Sequence, residues 1–126
     1  MIAIVLASLT LTTDLPDDPE QYSAWMQQSC QIQQVSRSGG EPDDHVPFCG
    51  CLDSRLRDSI SLEAYRVFAL GSQGAIQDQA MVDDWEAARD AATTEAAALP
   101  EAERAELQPA LQGALGACLS LAYQGE

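Results

Sequence analysis

His45-Val46-Pro47-Phe48-Cys49-Gly50-Cys51-Leu52 is the stretch from which the fold is read. It holds two of the four cysteines and the single histidine, and it sits where a polar loop gives way to an apolar run. From Phe48 onward, Phe48, Leu52 and Leu56 recur at four-residue spacing, the mark of a helix with one buried face. The Cys-Gly-Cys therefore lies in the first turns of a helix, and its two thiols must find partners elsewhere or act on their own.

Those partners are Cys30 and Cys118, one upstream and one far downstream. Four cysteines allow three pairings. Joining Cys49 to Cys51 closes a very small, strained ring. The other two pairings tie the Cys-Gly-Cys to an early helix and to a late one. We favour Cys30–Cys49 with Cys51–Cys118, and the swapped pairing remains open at the level of sequence. Two structural disulfides at Cys30, Cys49, Cys51 and Cys118 suit a small domain whose core is thin.

Upstream, Pro19 to Val35 reads as a helix. Asp18 is its cap, Pro19 stands at the first helical position and Glu20 in the first turn. Tyr22, Trp25, Met26, Ser29, Ile32 and Gln33 follow its inner face, with Cys30 beside them. Gly39-Gly40 ends the helix, and Ser36 to Pro47 is a polar loop. His45 follows Asp43 and Asp44 there and reads as a surface residue. Glu41, Asp43 and Asp44 lack the spacing of an EF-hand calcium loop.

Downstream, Ser59 or Ser61 breaks the second helix and starts a third over Leu62 to Leu70. Tyr65, Phe68 and Ala69 form its inner face, and Gly71 and Gly74 bracket a turn. Ala75 to Leu99 reads as one long helix. Met81 or Val82, Trp85, Ala88, Ala92, Ala96 and Leu99 point inward, and Asp83, Asp84, Glu86, Asp90 and Glu95 point to solvent. Alanine favours helix but buries little area, so this helix must approach its neighbour closely. Pro100 opens a last helical stretch, which Pro109 kinks or restarts. Leu111, Leu115, Cys118, Leu119 and Ala122 are its expected inner face. The pattern is all-α: a small bundle of four to five helices crosslinked by two disulfides.

Met1 to Leu11 is an apolar run too short to span a bilayer, which takes about 20 residues. It resembles the apolar part of a secretory leader, although no Lys or Arg precedes it and no Ala-x-Ala follows. Residues 1–13 are read as a signal peptide and residues 14–126 as one helical, stapled domain. Four cysteines fit the oxidising compartment this implies, secreted or periplasmic.

The net charge is −14, and all six basic residues are arginine. No basic patch exists to neutralise phosphates, so nucleic acid is not an expected partner. An anionic membrane would also repel the mature chain. A basic protein partner or a cation is the kind of ligand such acidity would attract. Hydrolytic chemistry has no support: His45 is the sole histidine and no nucleophile elbow is near it. No catalytic residue, cofactor or resident metal is indicated. The leading reading is a non-enzymatic exported module acting as a structural or interaction surface. Two other readings use the same residues. Cys30, His45, Cys49 and Cys51 offer three thiolates and one imidazole to zinc or copper(I). Cys49 and Cys51, at a helix N-terminus, offer a thiol–disulfide couple.

Overall fold

The computed structural model describes residues 17–124. Five helices account for most of them: α1 (Pro19–Ser38), α2 (Val46–Ser59), α3 (Leu62–Ile76), α4 (Trp85–Ala98) and α5 (Glu101–Cys118). Short 3-10 turns cover Pro42–His45, Gln77–Gln79 and Leu119–Leu121, and there is no strand among the described residues. The all-α bundle and both favoured disulfides are present. The leader expected over residues 1–13 lies outside the described residues.

Local chemistry sets most of the helix starts. The Asp18 carboxylate accepts the Glu20 backbone N–H at 3.0 Å and opens α1. Ser61 caps α3 by accepting from Ala64, and Asp84 caps α4 by accepting from Ala87. In each case a short polar side chain takes up an N–H that the helix leaves unpaired. The α1 helix ends at Gly39, where φ is +79° and the N–H returns to the Val35 carbonyl. Gly40 also has positive φ, and a Cβ there would meet the Tyr123 ring and the Asp44 carboxylate at 2.8 Å. Only glycine satisfies both demands.

The helices form two packed groups that share α1. On one side, α1, α3 and α4 enclose the main core of Tyr22, Trp25, Tyr65, Ala69, Leu70 and Ala88. On the other, α2 lies against α1 and α5 around Phe48, Cys49 and Cys118. Ala64, Val67 and Leu99 make a third small cluster, where α3 meets the α4–α5 corner. From that corner α4 and α5 diverge.

Several expectations are corrected. Gly71 and Gly74 lie inside α3, which runs on to Ile76 and contains no turn there. Gly74 serves close packing: a Cβ would come within 2.7 Å of the Arg89 Cβ and 3.0 Å of its Cα. This is the close approach that the alanine-rich α4 requires. Residues 75–99 are not one helix. Gln77 takes φ +51°, a conformation L-residues rarely adopt, and the chain then runs irregularly to Asp84 before α4 begins. Buried Gln73 holds this connection. Its amide accepts from the Met81 N–H at 2.5 Å and donates to the Trp25 carbonyl at 3.2 Å. Val82 packs on the core and Met81 does not.

The α5 helix passes through Pro109 without interruption. Pro109 and Ala105 both face solvent, so the carbonyl that loses its partner is left to water. The buried side of α5 carries Ala114 and Cys118, flanked by partly buried Leu107 and Leu111. Leu115 and Leu119 are exposed, against expectation.

Candidate functional site

The Cys-Gly-Cys occupies the first turns of α2 and acts as a two-way clamp. Residues two apart on an α-helix point about 200° away from each other. Cys49 therefore faces α1 and bonds Cys30, while Cys51 faces α5 and bonds Cys118, with Cα separations of 5.7 and 5.8 Å. The same geometry keeps Cys49 and Cys51 from pairing with each other. Phe48, Leu52 and Ala122 pack around the four sulfurs. Gly50 is not forced by space, because the nearest atom to a Cβ there is the Gln27 Oε1 at 3.8 Å.

His45 is not a surface residue. It is 1% exposed, and its Nε2 donates to the Gly39 carbonyl at 2.8 Å. Its ring meets Tyr123 edge to face at 5.1 Å. Through these contacts His45 binds the end of α1 and the C-terminal segment to the start of α2. Glu41 and Asp44 complete a capping box on the same turn. The imidazole is thus a tie beneath the disulfides and does not join the cysteines in a ligand set. The four sulfurs are all in disulfides and are not thiolates. Among the described residues, no group of three or more His, Cys, Asp or Glu side chains is arranged to hold a metal ion.

A second polar centre escaped the sequence reading. Asp53 on α2 is 4% exposed. One carboxylate oxygen accepts the Tyr65 hydroxyl, and the other accepts Ser23 Oγ at 2.5 Å and Gln27 Nε2 at 3.4 Å. The carboxylate thus joins α1, α2 and α3. Burial, followed by this hydrogen bond, pushes the Tyr65 phenol well above its ordinary range. Asp53 sits five residues after Phe48, directly after the quoted stretch His45–Leu52. The one available signal was its place between Leu52 and Leu56 on the inward stripe.

Arg57 and Arg66, in the middle segment, are engaged within the fold. Arg66 grips Glu95 with two hydrogen bonds, 2.7 and 3.1 Å, and donates to the Tyr22 hydroxyl at 2.8 Å. Glu95 raises the Arg66 pKa further, so the guanidinium is permanently charged. Tyr22 in turn donates to Asp17 at 2.8 Å, and burial raises its pKa. Arg57 reaches Glu20 at 3.3 Å. Arg57, Arg66 and Arg89 also lie over the rings of Tyr65, Tyr22 and Trp85, 5.4 to 5.9 Å from the centroids. Arg104 donates to the Ala97 carbonyl at 2.9 Å and closes the end of α4.

Two of the surface hollows lie along α4. Glu63, Glu95 and Glu103 line one of about 370 Å³, floored by Ala98, Leu99 and Pro100. Glu103 there accepts from Ser61 at 2.7 Å. The other is an apolar groove of about 410 Å³ where α4 and α5 diverge, lined by Met26, Leu52, Leu56, Phe68, Ala92, Ala96 and Leu111 among others. The Ser72 and Thr93 hydroxyls beside it bond back to carbonyls of their own helices.

Compared with protein-family models, curated proteins and solved structures, the chain matches none of them.

Proposed function

We propose that the chain is a non-enzymatic exported module that presents a rigid acidic surface to a basic protein partner. The observation that carries this reading is the engagement of its reactive side chains in structural roles. The four cysteines form disulfides, His45 ties two chain segments, and Asp53 is held by Ser23, Gln27 and Tyr65. The solvent-facing carboxylates, in a chain of net charge −14, are left as the outward chemistry. Both disulfides, and the lack of a helix long and apolar enough to cross a membrane among the described residues, are compatible with an extracellular protein.

Metal binding through Cys30, His45, Cys49 and Cys51, and redox exchange through Cys49 and Cys51, both begin with free thiolates. They therefore require reduction of bonds that here hold α1 and α5 to α2.

The test is an intact mass of the exported chain, alkylated without reduction. A chain shortened near Thr13 to Pro16 with no alkylated cysteine is expected. Two or more free thiols overturn the stapled-module reading, and metal content and thiol exchange would then be measured.

A further inference from the structure

A further hollow, of about 570 Å³, lies between the C-terminal half of α1 and the end of α3 with the turn that follows it. Ile32 and Ile76 supply much of its apolar surface, and Arg37 is the one charged side chain on its wall. A chain of net charge −14 thus holds a guanidinium here among neutral wall residues. Arg57, Arg66, Arg89 and Arg104 are bonded within the fold, but Arg37 has no hydrogen bond or ion pair among the described residues. It stands in the last turn of α1. The carbonyl end of a helix favours a positive charge there and leaves the donors of the guanidinium free.

Gln77 adds a second observation. It is the only non-glycine residue with positive φ among the described residues, at +51°. Glycine would take that conformation without strain, whereas a side chain there costs stability. The Gln77 side chain makes no hydrogen bond among the described residues to offset that cost, and it lines the hollow. The side chains of Ser36 and Gln79 are likewise unpaired on the same wall. Gln33 gives its amide N–H to Ser29 and keeps its carbonyl oxygen. The wall is also held in place. Gln28 donates to the Gln79 carbonyl at 2.8 Å and ties the turn to α1, and buried Gln73 fixes the chain beyond it.

We propose that this hollow binds a small organic monocarboxylate that carries neutral hydroxyl or amide groups. The Arg37 fork takes the carboxylate through two parallel N–H bonds. The Ser36 hydroxyl and the Gln33, Gln77 and Gln79 amides take the neutral polar groups, and Ile32 and Ile76 take the carbon skeleton. The volume falls within the roughly 300–1,000 Å³ usual for small-molecule sites. Charge selects the class. One guanidinium balances one carboxylate, whereas a phosphate dianion or a polyanion brings surplus negative charge to a chain already at −14. A neutral sugar or amide leaves the guanidinium unpaired. The site is separate from the carboxylate surface offered to a basic partner, so either reading can fail alone.

The test is a nuclear magnetic resonance titration of the oxidised, isotope-labelled chain at constant ionic strength. The probes are sodium gluconate and N-acetylglutamine, with gluconamide as the uncharged control and inorganic phosphate as the competing anion. At least one carboxylate should give saturable shifts confined to residues 32–37 and 75–79, with a dissociation constant of about 1 mM or below. Arg37→Gln should weaken that binding by about tenfold or more. Arg55→Gln removes the same charge from an exposed site on α2 and should leave it unchanged. Gln77→Gly should raise the melting temperature by relieving strain, yet weaken binding several-fold. The absence of saturable shifts with both carboxylates overturns the proposal. So does equal or tighter binding of gluconamide or phosphate, or an equal loss of binding in Arg37→Gln and Arg55→Gln.

Discussion

Removing the Cys51–Cys118 disulfide should cost more stability than removing Cys30–Cys49, and the structure sets the difference. The first closes a loop of sequence separation 67 and the second one of 19. Loop-closure entropy grows with the logarithm of that length, which gives about 4.4 and 3.2 kcal/mol at 25 °C, a gap of about 1.1 kcal/mol. The loops are adjacent and do not interleave, so their contributions should add. Cys49 and Cys118 are buried, so alanine is the right replacement; serine would bury hydroxyls and add a cost of about 1–3 kcal/mol each. The assay is urea unfolding of the two double-alanine variants, followed by the fluorescence of Trp25 and Trp85 and by far-ultraviolet circular dichroism. The midpoint should fall furthest for Cys51→Ala/Cys118→Ala, and the slope should rise as the unfolded chain expands. Both costs are a large share of the roughly 5–15 kcal/mol that holds a domain together. If the long-loop variant does not fold in buffer while the short-loop variant does, the predicted order still stands. An equal or larger loss on removing Cys30–Cys49 would refute the entropic reasoning.

Asp53→Ala leaves the Tyr65 and Ser23 hydroxyls without their acceptor and should cost about 2–4 kcal/mol in urea unfolding; Asp53→Asn, which keeps one acceptor oxygen, should cost less. Tyr65 and Tyr22 have pKa values raised above the ordinary 10.0 in the folded chain. Above pH 10 the unfolded chain therefore binds fewer protons than the folded one. Their stabilisation is complete below pH 10 and is lost as pH rises, by up to about 1.4 kcal/mol per pH unit for each phenol. Thermal melts at increasing alkaline pH check this, and Tyr65→Phe should flatten the profile. Gly74→Ala gains helix propensity but drives a methyl into the Arg89 backbone, so it should lower stability by about 1–3 kcal/mol, measured as a lower melting temperature.

The parts of the fold legible in the sequence are those written in local chemistry. Asp18-Pro19-Glu20 announces the start of α1 and Gly39-Gly40 its end; of Ser59 and Ser61, both open in the sequence as the start of α3, the structure has Ser61 as the cap. The misread parts depend on residues far away in the chain. Glycine marks turns and close approaches alike. At Gly74 the deciding fact is the Arg89 backbone, fifteen residues on. His45 looks solvated beside Asp43 and Asp44 until Tyr123 and the Gly39 carbonyl cover it. Asp53 becomes buried because α1 and α3 bring it three hydrogen-bond donors. The long helix expected over residues 75–99 breaks because buried Gln73 takes the Met81 N–H for itself, and no propensity scale contains that bond.

The placement of the two staples follows from the distribution of the core. The α1–α3–α4 group holds most of the large buried side chains, with three arginines over its aromatic rings. The α2–α5 group has less of this: α2 buries Phe48 and Leu56, and α5 offers it mainly Ala114 and Cys118. A helix so poor in buried area would gain little from burial alone, at about 25 cal/mol per Å². Cys51–Cys118 supplies what burial does not, and Cys30–Cys49 fixes the same end of α2 to the better-packed half. On this argument reduction should act unevenly. Hydrogen exchange in the presence of a reductant should expose α5 first and leave α1, α3 and α4 protected. Uniform, simultaneous loss of protection across all five helices would mean that the staples support the whole bundle, and that the division into a self-sufficient half and a tethered half is wrong.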